Sequence, residues 1–464
     1  MLTFGYGKRP LLWANTNVVL FGTEAISSWG HVVALDVRDA SCTPWELRPG
    51  HCEDIAWLLG DDGWVYLVNN CLSIDGLGVE RVRVSDGTRE TLVGGGTLPS
   101  DVAGMSANGY GLAVLSGQVA VLAATYRDPI GVHIVQDGSG KSHAVTTDSG
   151  FARAAFVRPR ILEFNSSDGR FTLHAQLFLP GESSAEAAGA QGKMPGVVYT
   201  HGGSERQMYA AFHYSGCYAQ EYAANQWLAH RGMAVLSVNY RSGTGYGHAF
   251  RVCDHCMAWG AAEYQDVREA AVQLASIEEV DESSIGIWGL SYGGLNAEQA
   301  CARDSSLFKA CVALAGIFNW ISAERYVTDT GRSVYDADVE PVFPGAFRSL
   351  RIGPSPAWAG PNWSDRVKHV QELMLDSSPA GHVENLTSPM LLVHGDADEE
   401  VDFQETVGAL RAMRALGRDN VEVLAFPDES HGLATYANQL LQLQAMGDFL
   451  HKHLRGKLAA HVLV

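Results

Sequence analysis

Ile285-Gly-Ile-Trp-Gly-Leu-Ser-Tyr-Gly-Gly294 decides how the larger part of this chain folds. Its apolar start reads as a short buried strand over 284–288, and helical composition begins directly after the serine, over 293–302. Between them, Gly289-Leu-Ser-Tyr-Gly293 must turn sharply. A serine on a strand-to-helix turn is held by a strained, close-packed backbone, so it needs small neighbours. The bare Gly-x-Ser-x-Gly pattern is weak in a chain with 50 glycines. Its setting is specific; the bland alternative is a glycine-rich turn with a solvated serine.

Outward from this turn, strands and helices alternate from about Arg158, the pattern of a parallel sheet covered by helices on both faces. Gly196-Val-Val-Tyr-Thr200 is a buried strand that ends in His201-Gly202-Gly203. An amphipathic helix around 219–230, a strand over 234–239 and the turn Arg241-Ser-Gly-Thr-Gly-Tyr-Gly247 follow. A helix is expected over 263–275, strands over 308–315, 390–394 and 421–426, and a closing helix over 440–454. Residues 320–375 are rich in Pro, Gly and Trp and weakly periodic, which suggests an insertion or lid over the carboxyl ends of the strands. The fold class is α/β for residues 156–464, preceded by a β-rich unit over residues 1–155.

In that first unit, short β-rich runs alternate with Gly, Asp and Asn. Look-alike segments at 32–37, 80–84 and 132–135 run into Asp39, Asp86 and Asp137, spaced 47 and then 51 residues apart. A strand, an Asp-marked turn and another strand at this period describe a propeller blade; an irregular β-sandwich is the alternative. Three blades and a fraction fall short of the roughly four or more that close a ring. Open edges are therefore expected, covered in a homo-oligomer or left by the shortening of a longer protein.

Of the 464 residues, 46% are apolar and 18% charged, and the formal charge is −19. That is ample for large cores and excludes collagen-like and disordered classes. Such acidity also argues against nucleic acid or an anionic membrane as partner. No stretch approaches a membrane span, and the first ten residues lack a basic region followed by an apolar one, so a soluble, cytoplasmic chain is expected. The 8 cysteines are too sparse for a disulfide framework, with Cys301 and Cys311 reading as reduced, buried thiols.

A hydroxyl is a poor nucleophile at neutral pH, so Ser291 needs a base, and the base an orienting acid. In strand-to-helix serine sites on a parallel sheet, the acid and then the histidine follow the serine in the chain. His369, His382, His394 and His431 precede the terminal helix. His431, in Pro427-Asp-Glu-Ser-His-Gly432, follows the last strand and can reach over the serine; His394 reads as a structural strand end. For the acid, Gly395-Asp-Ala-Asp-Glu-Glu-Val-Asp402 offers five carboxylates, of which Asp398 fits best and Asp396 next. Two donors are needed for an oxyanion: the amide of Tyr292, at a helix start, and the amide of Gly203, where glycines permit close approach.

Together these motifs resemble the prolyl oligopeptidase family of serine peptidases, with its dipeptidyl and acylaminoacyl members. The resemblance spans 195–453 and rests on His201-Gly-Gly203, Asn239-Tyr-Arg-Ser-Gly-Thr-Gly-Tyr-Gly247, Trp259-Gly260 with Tyr264-Gln-Asp266, Trp288-Gly-Leu-Ser-Tyr-Gly-Gly294, His394-Gly-Asp-Ala-Asp398 and Asp428-Glu-Ser-His-Gly432. It implies Ser291, Asp398 and His431 as the triad, an α/β-hydrolase domain, and a propeller that gates entry of peptides. Ser204 stands where the family often has proline, and His201 where dipeptidyl members carry an oxyanion tyrosine. No paired-glutamate anchor is recognisable in residues 1–155. The resemblance thus points to acylaminoacyl- or oligopeptidase-like cleavage of short peptides. Trp320, Ile317, Tyr292 and Val401 match positions that line the family's specificity pocket; each reads equally as plain core.

Other motifs read blandly. Cys253-Asp-His-Cys256 lacks the further ligands zinc needs, so no metal is expected. Gly243–Gly247 lacks the Gly-Lys-Ser/Thr of a phosphate loop, and Asp266 suits a structural hydrogen bond. Acceptor-like Asn165, Asn362 and Asn385 read as chance. The expected activity needs no cofactor. A carboxylesterase with the same triad, and a non-catalytic interaction protein, remain as alternatives.

Overall fold

A computed structural model describes residues 11–60, 62–93, 104–105, 112–115, 118–135, 142–145, 156–181, 192–253, 255–256, 260–323 and 371–455. Three antiparallel sheets come first. Strands β1 (Leu12–Trp13), β2 (Val18–Thr23), β3 (His31–Asp36) and β4 (Trp45–Glu46) pair in chain order. So do β5 (Asp54–Leu59), β6 (Trp64–Asn69), β7 (Gly78–Arg83) and β8 (Arg89–Val93). The third sheet runs β10 (Leu112–Leu115), β11 (Gln118–Ala124), β12 (Gly131–Val135), β13 (Ser142–Ala144), with β9 (Gly104–Met105) beside β11.

The look-alike segments fall on β3, β7 and β12, each the third strand of a four-strand meander. That shared position explains the likeness: an inner strand pairs on both edges, so its residues meet the same demands in each blade. The Asp137 turn lies outside the described residues, as do the first ten residues and most of the expected insertion, 324–370.

The remaining strands form one eight-stranded sheet. Hairpin β14 (Arg160–Asn165) and β15 (Thr172–Phe178) leads into β16 (Met194–Thr200), β17 (Ala234–Asn239), β18 (Val280–Leu290), β19 (Phe308–Leu314), β20 (Met390–Gly395) and β21 (Val421–Phe426). The order is β14-β15-β17-β16-β18-β19-β20-β21, and every pair from β17 to β21 is parallel. Their carboxyl ends therefore share one rim.

Alternation along the strands feeds two cores. Val198, Ile285 and Ile287 pack with α3 (Ala262–Ala275), α4 (Tyr292–Arg303) and α5 (Gln404–Ala415). Val197, Tyr199 and Trp288 pack on the other face, with α1 (Gly216–His230) and α6 (Tyr436–Arg455). This is the α/β-hydrolase layering expected from the sequence. Two features were not anticipated: the β14–β15 hairpin, and α5 directly after the acidic loop. Among the described residues, no helix is long and apolar enough to cross a membrane.

The cysteine expectation is corrected. Disulfides join Cys52 to Cys71, Cys253 to Cys256, and Cys301 to Cys311, leaving Cys42 and Cys217 free. Cys301 on α4 faces Cys311 on β19 at a Cα separation of 6.2 Å, within bridging range, a proximity that a cysteine count does not reveal.

The turn Gly243–Gly247 docks on the blades through short α2 (His248–Arg251) and its own backbone. The Glu53 carboxylate accepts from the amides of Gly245 and Gly247 at 3.0 and 2.9 Å, and Asn70 donates to the Gly245 carbonyl at 2.7 Å. A protein carboxylate thus occupies the amides that the turn presents. The Cys52–Cys71 disulfide sits beside both Glu53 and Asn70 and ties their strands together. Asp266 has the structural role expected of it: its carboxylate accepts from the Arg241 guanidinium at 2.6 and 2.8 Å.

Candidate active site

Ser291 stands where β18 becomes α4, with φ 61° and ψ −121°, a conformation costly for any residue but glycine. Its amide donates to the Leu314 carbonyl at 2.8 Å and its carbonyl accepts from Leu295 at 3.0 Å, which lock the turn. The flanking glycines are explained by crowding. A Cβ at Gly289 or Gly293 would strike the Thr200 carbonyl of neighbouring β16. The strand-turn-helix is therefore wedged against its neighbour, and the serine is held at the rim.

Asp398 sits in the loop after β20, its side chain out of solvent. One oxygen, Oδ1, accepts from the amides of Glu400 and Val401 at 2.8 and 2.9 Å. The other, Oδ2, lies 2.8 Å from His431 Nδ1 and 3.0 Å from His394 Nε2. Burial raises the carboxyl pKa, but the hydrogen bonds with His394 and His431 outweigh it, so the pKa falls well below the usual carboxylate range.

His431 follows β21. Burial pulls its pKa down, yet the bond to Asp398 and the charges of Asp398 and Glu400 lift it above the ordinary histidine value. With Nδ1 facing a carboxylate, that nitrogen carries the hydrogen, and Nε2 is left to accept a proton. The structure thus joins Asp398 to His431 directly and sets both on the rim that carries Ser291. Asp396, the second choice of acid, instead accepts from the Asp428 amide at 2.7 Å.

His394 is more than a strand end. Its Nδ1 meets Thr406 Oγ1 at 2.8 Å, while Nε2 meets both Asp398 and the Val401 carbonyl, at 2.9 Å for the latter. It therefore fixes the Asp398 carboxylate from behind. Its position four residues ahead of Asp398 in His394-Gly-Asp-Ala-Asp398 was the available signal. Glu221 on α1 was missed altogether. It is buried, accepts from the Tyr199 hydroxyl, and is pushed up to about 8 by burial, with His431 pulling against it.

The glycine loop after β16 faces the serine turn. A Cβ at Gly202 would stand 3.2 Å from the Ser291 Cβ, and Gly203 has φ +59°, where a side chain is strained. His201 is stacked on Tyr240 with ring centroids 4.2 Å apart, and burial pushes it down to about 4, so it is neutral at neutral pH. Tyr292 donates its hydroxyl to Glu263 at 2.8 Å, and its ring lies 6.1 Å from that of Trp320. Trp320, Ile317, Val401 and Tyr292 are all buried in one cluster against α3, α4 and α5.

Two groups among the described residues bring three potential metal-ligand atoms within 4.8 Å of one another: Asp75, Glu163 and His174; and Cys253, Cys256 and Glu263. In the first, His174 Nδ1 bonds to Asp75 at 3.2 Å; in the second, the sulfurs are joined. Neither includes Ser291, Asp398 or His431.

The sequence profile of the prolyl oligopeptidase family matches residues 220–337 and 354–457. Dipeptidyl aminopeptidase BIII of Pseudoxanthomonas mexicana is 28% identical over 300 residues, covering 64% of this chain and 38% of the relative. The human acylamino-acid-releasing enzyme is 27% identical over 246 residues, covering 52% and 29% respectively. Among solved structures, a puromycin-hydrolyzing peptidase of Mycobacterium tuberculosis superposes with TM-score 0.76 at 21% identity, over 97% of this chain and 62% of that one. Acylaminoacyl peptidase of Pyrococcus horikoshii superposes with TM-score 0.66 at 19% identity, over 96% and 63%. The chain thus spans less than two thirds of the length of each of these proteins. With the strand-turn-helix serine, the matched profile and the shared fold together, the chain belongs to the prolyl oligopeptidase family.

Proposed function

We propose that this protein is a serine peptidase that cleaves short peptides through an acyl-enzyme. Ser291 Oγ attacks the scissile carbonyl carbon while His431 Nε2 takes its proton, and Asp398 orients and stabilises the imidazolium. The amides of Tyr292 and Gly203 hold the oxyanion. Collapse of the intermediate breaks the C–N bond, and His431 returns the proton to the leaving amine. Water then repeats the sequence on the ester, and no metal or organic cofactor takes part.

The observation that carries this reading is the Asp398–His431 hydrogen bond, 2.8 Å long, on the rim where Ser291 is held in its strained turn. Trp320, Ile317, Val401 and Tyr292 are assigned to the substrate side-chain pocket. Residues 1–155 are taken as the blade unit that restricts entry, and 156–464 as the catalytic unit. Acylaminoacyl- or oligopeptidase-like cleavage is the proposed mode. The acylamino-acid-releasing enzyme and the acylaminoacyl peptidase among the similar proteins support its acylaminoacyl form, while dipeptidyl aminopeptidase BIII supports release of dipeptides. The same serine, histidine and carboxylate would also hydrolyse esters, which makes simple esters the second substrate class. The compartment is read from the disulfides rather than from the first residues: three of them suit an oxidising one, in place of the cytoplasm.

A panel of free, acyl-blocked and ester substrates tests the proposal. Blocked peptides should be turned over, and Ser291→Ala should abolish their turnover. Turnover of esters alone would select the esterase reading, and undiminished peptide cleavage by Ser291→Ala would refute the assigned nucleophile.

A further inference from the structure

Cys253-Asp-His-Cys256 has no part in the hydrolysis just described, yet it lies two contacts away from the serine turn. The two sulfurs and a carboxylate oxygen of Glu263 lie within 4.8 Å of one another. Glu263 Oε1 in turn accepts the Tyr292 hydroxyl at 2.8 Å, and Tyr292 is the residue after Ser291. We infer that Cys253 and Cys256 are a reversible dithiol–disulfide pair whose state sets the hold of Glu263 on Tyr292 and thereby the turnover at Ser291. This regulation rests on the peptidase reading above.

Position separates this disulfide from the other two. Cys301–Cys311 bridges α4 to β19 with both residues fully buried, and Cys52–Cys71 ties two strands of one blade. Cys253–Cys256 closes a step of three residues in the connection between α2 and α3, so opening it separates no pair of core elements. Cys253 is half-buried and Cys256 is buried, which makes Cys253 the sulfur open to attack.

The exchange is balanced with a small-molecule or protein dithiol as reductant. A thiolate of the reductant attacks Cys253 Sγ, the S–S bond breaks, and Cys256 leaves as a thiolate that takes up a proton. The reductant's second thiol, giving up its proton, attacks the mixed disulfide and releases Cys253. Two electrons and two protons pass to the protein, and the reductant becomes its own disulfide.

The coupling follows from donor count. A disulfide offers Glu263 no hydrogen, whereas each thiol is an S–H donor. Reduction places new donors beside a buried carboxylate that until then holds the Tyr292 hydroxyl. The carboxylate can accept from thiol and hydroxyl together, but each added donor draws on its charge and weakens its bond to the hydroxyl. That loosens Tyr292, whose ring faces Trp320 and Tyr240 at 6.1 and 6.2 Å and whose amide adjoins Ser291. The oxidised form is therefore the more active one.

The test compares the full chain with its Cys253→Ser/Cys256→Ser variant, which keeps both other disulfides. Dithiothreitol should lower kcat/KM of the unsubstituted chain by about three- to tenfold, the scale of one weakened hydrogen bond. Re-oxidation with diamide should restore it. The variant, whose hydroxyls are donors like thiols, should sit at the reduced level without reductant and ignore dithiothreitol. Equal responses in the two proteins, or no response in either, overturn the inference. Amide hydrogen exchange of the peptide spanning 286–298 gives a readout independent of activity: reduction should speed it in the unsubstituted chain and not in the variant. Absence of all hydrolysis in both redox states would remove the peptidase reading; equal exchange in the two states would remove the redox coupling.

Discussion

At the scale of single residues, the site depends on which groups carry charge. In the proposed mechanism His431 works as a base only when neutral, and Asp398 lifts its pKa above the ordinary value of about 6.5 against the opposing effect of burial. The activity profile should therefore rise through an acid limb lying above pH ~6.5. Asp398→Asn removes the lifting charge, so initial-rate profiles should show that limb moved to lower pH, with kcat reduced about 10³-fold or more. Asp398 also links stability to pH. Its depressed folded pKa contributes stability that is present above the unfolded carboxylate range and lost as pH falls through the folded value. Glu221 has the opposite sign. Burial pushes its carboxyl up to about 8, so the folded state holds a proton that the unfolded chain releases near 4.5, and stability falls as pH rises between those values. Glu221→Gln has no such loss. Thermal melts should show its Tm gaining on that of the unsubstituted chain from pH 5 to pH 8. Ser291, Asp398 and His431 could be singled out as candidates because each follows a strand in a short, unusual loop. Glu221 was not, since a glutamate in a helical pattern reads as solvated until its burial is seen.

At the scale of elements, the β18–turn–α4 unit shows how backbone packing makes a site. Gly293 is required because a side chain there would meet the Thr200 carbonyl of β16, not because the helix start needs freedom. Gly293→Ala should cost about 1–3 kcal/mol through overpacking and should displace Ser291. Denaturant titration should show a lower midpoint, and activity should fall with it. Most elements were readable from apolar periodicity, and β21 was read with its observed bounds, Val421–Phe426. Helix α5 was hidden behind the acidic run that precedes it, where charge density reads as loop. The β14–β15 hairpin was hidden because β14 alternates half-buried and exposed residues with no apolar run. Disulfide pairing was hidden for a different reason: Cys301 and Cys311 meet only once α4 has packed on β19.

At the scale of the whole molecule, the blade unit and the hydrolase sheet are joined by buried polar contacts. Glu53 holds the amides of Gly245 and Gly247 and lies 3.5 Å from Arg251, which also pairs with Glu24. Glu53→Gln takes away a charge-assisted acceptor in a buried setting. It should destabilise this junction by about 1–3 kcal/mol, read as faster limited proteolysis between the two units. The blade repeat was legible because its third strand recurs at near-constant spacing. The junction was not, because its partners lie about 190 residues apart, far beyond any local pattern. All of this architecture serves one claim, that Ser291 is activated through His431 and Asp398. The most direct measurement is the rate of labelling by a fluorophosphonate, with the modified peptide located by mass spectrometry. The account predicts fast labelling on Ser291 that is abolished in Ser291→Ala and slowed by orders of magnitude in His431→Ala and Asp398→Asn. Labelling on another residue, or equal rates in the unsubstituted chain and His431→Ala, would contradict it.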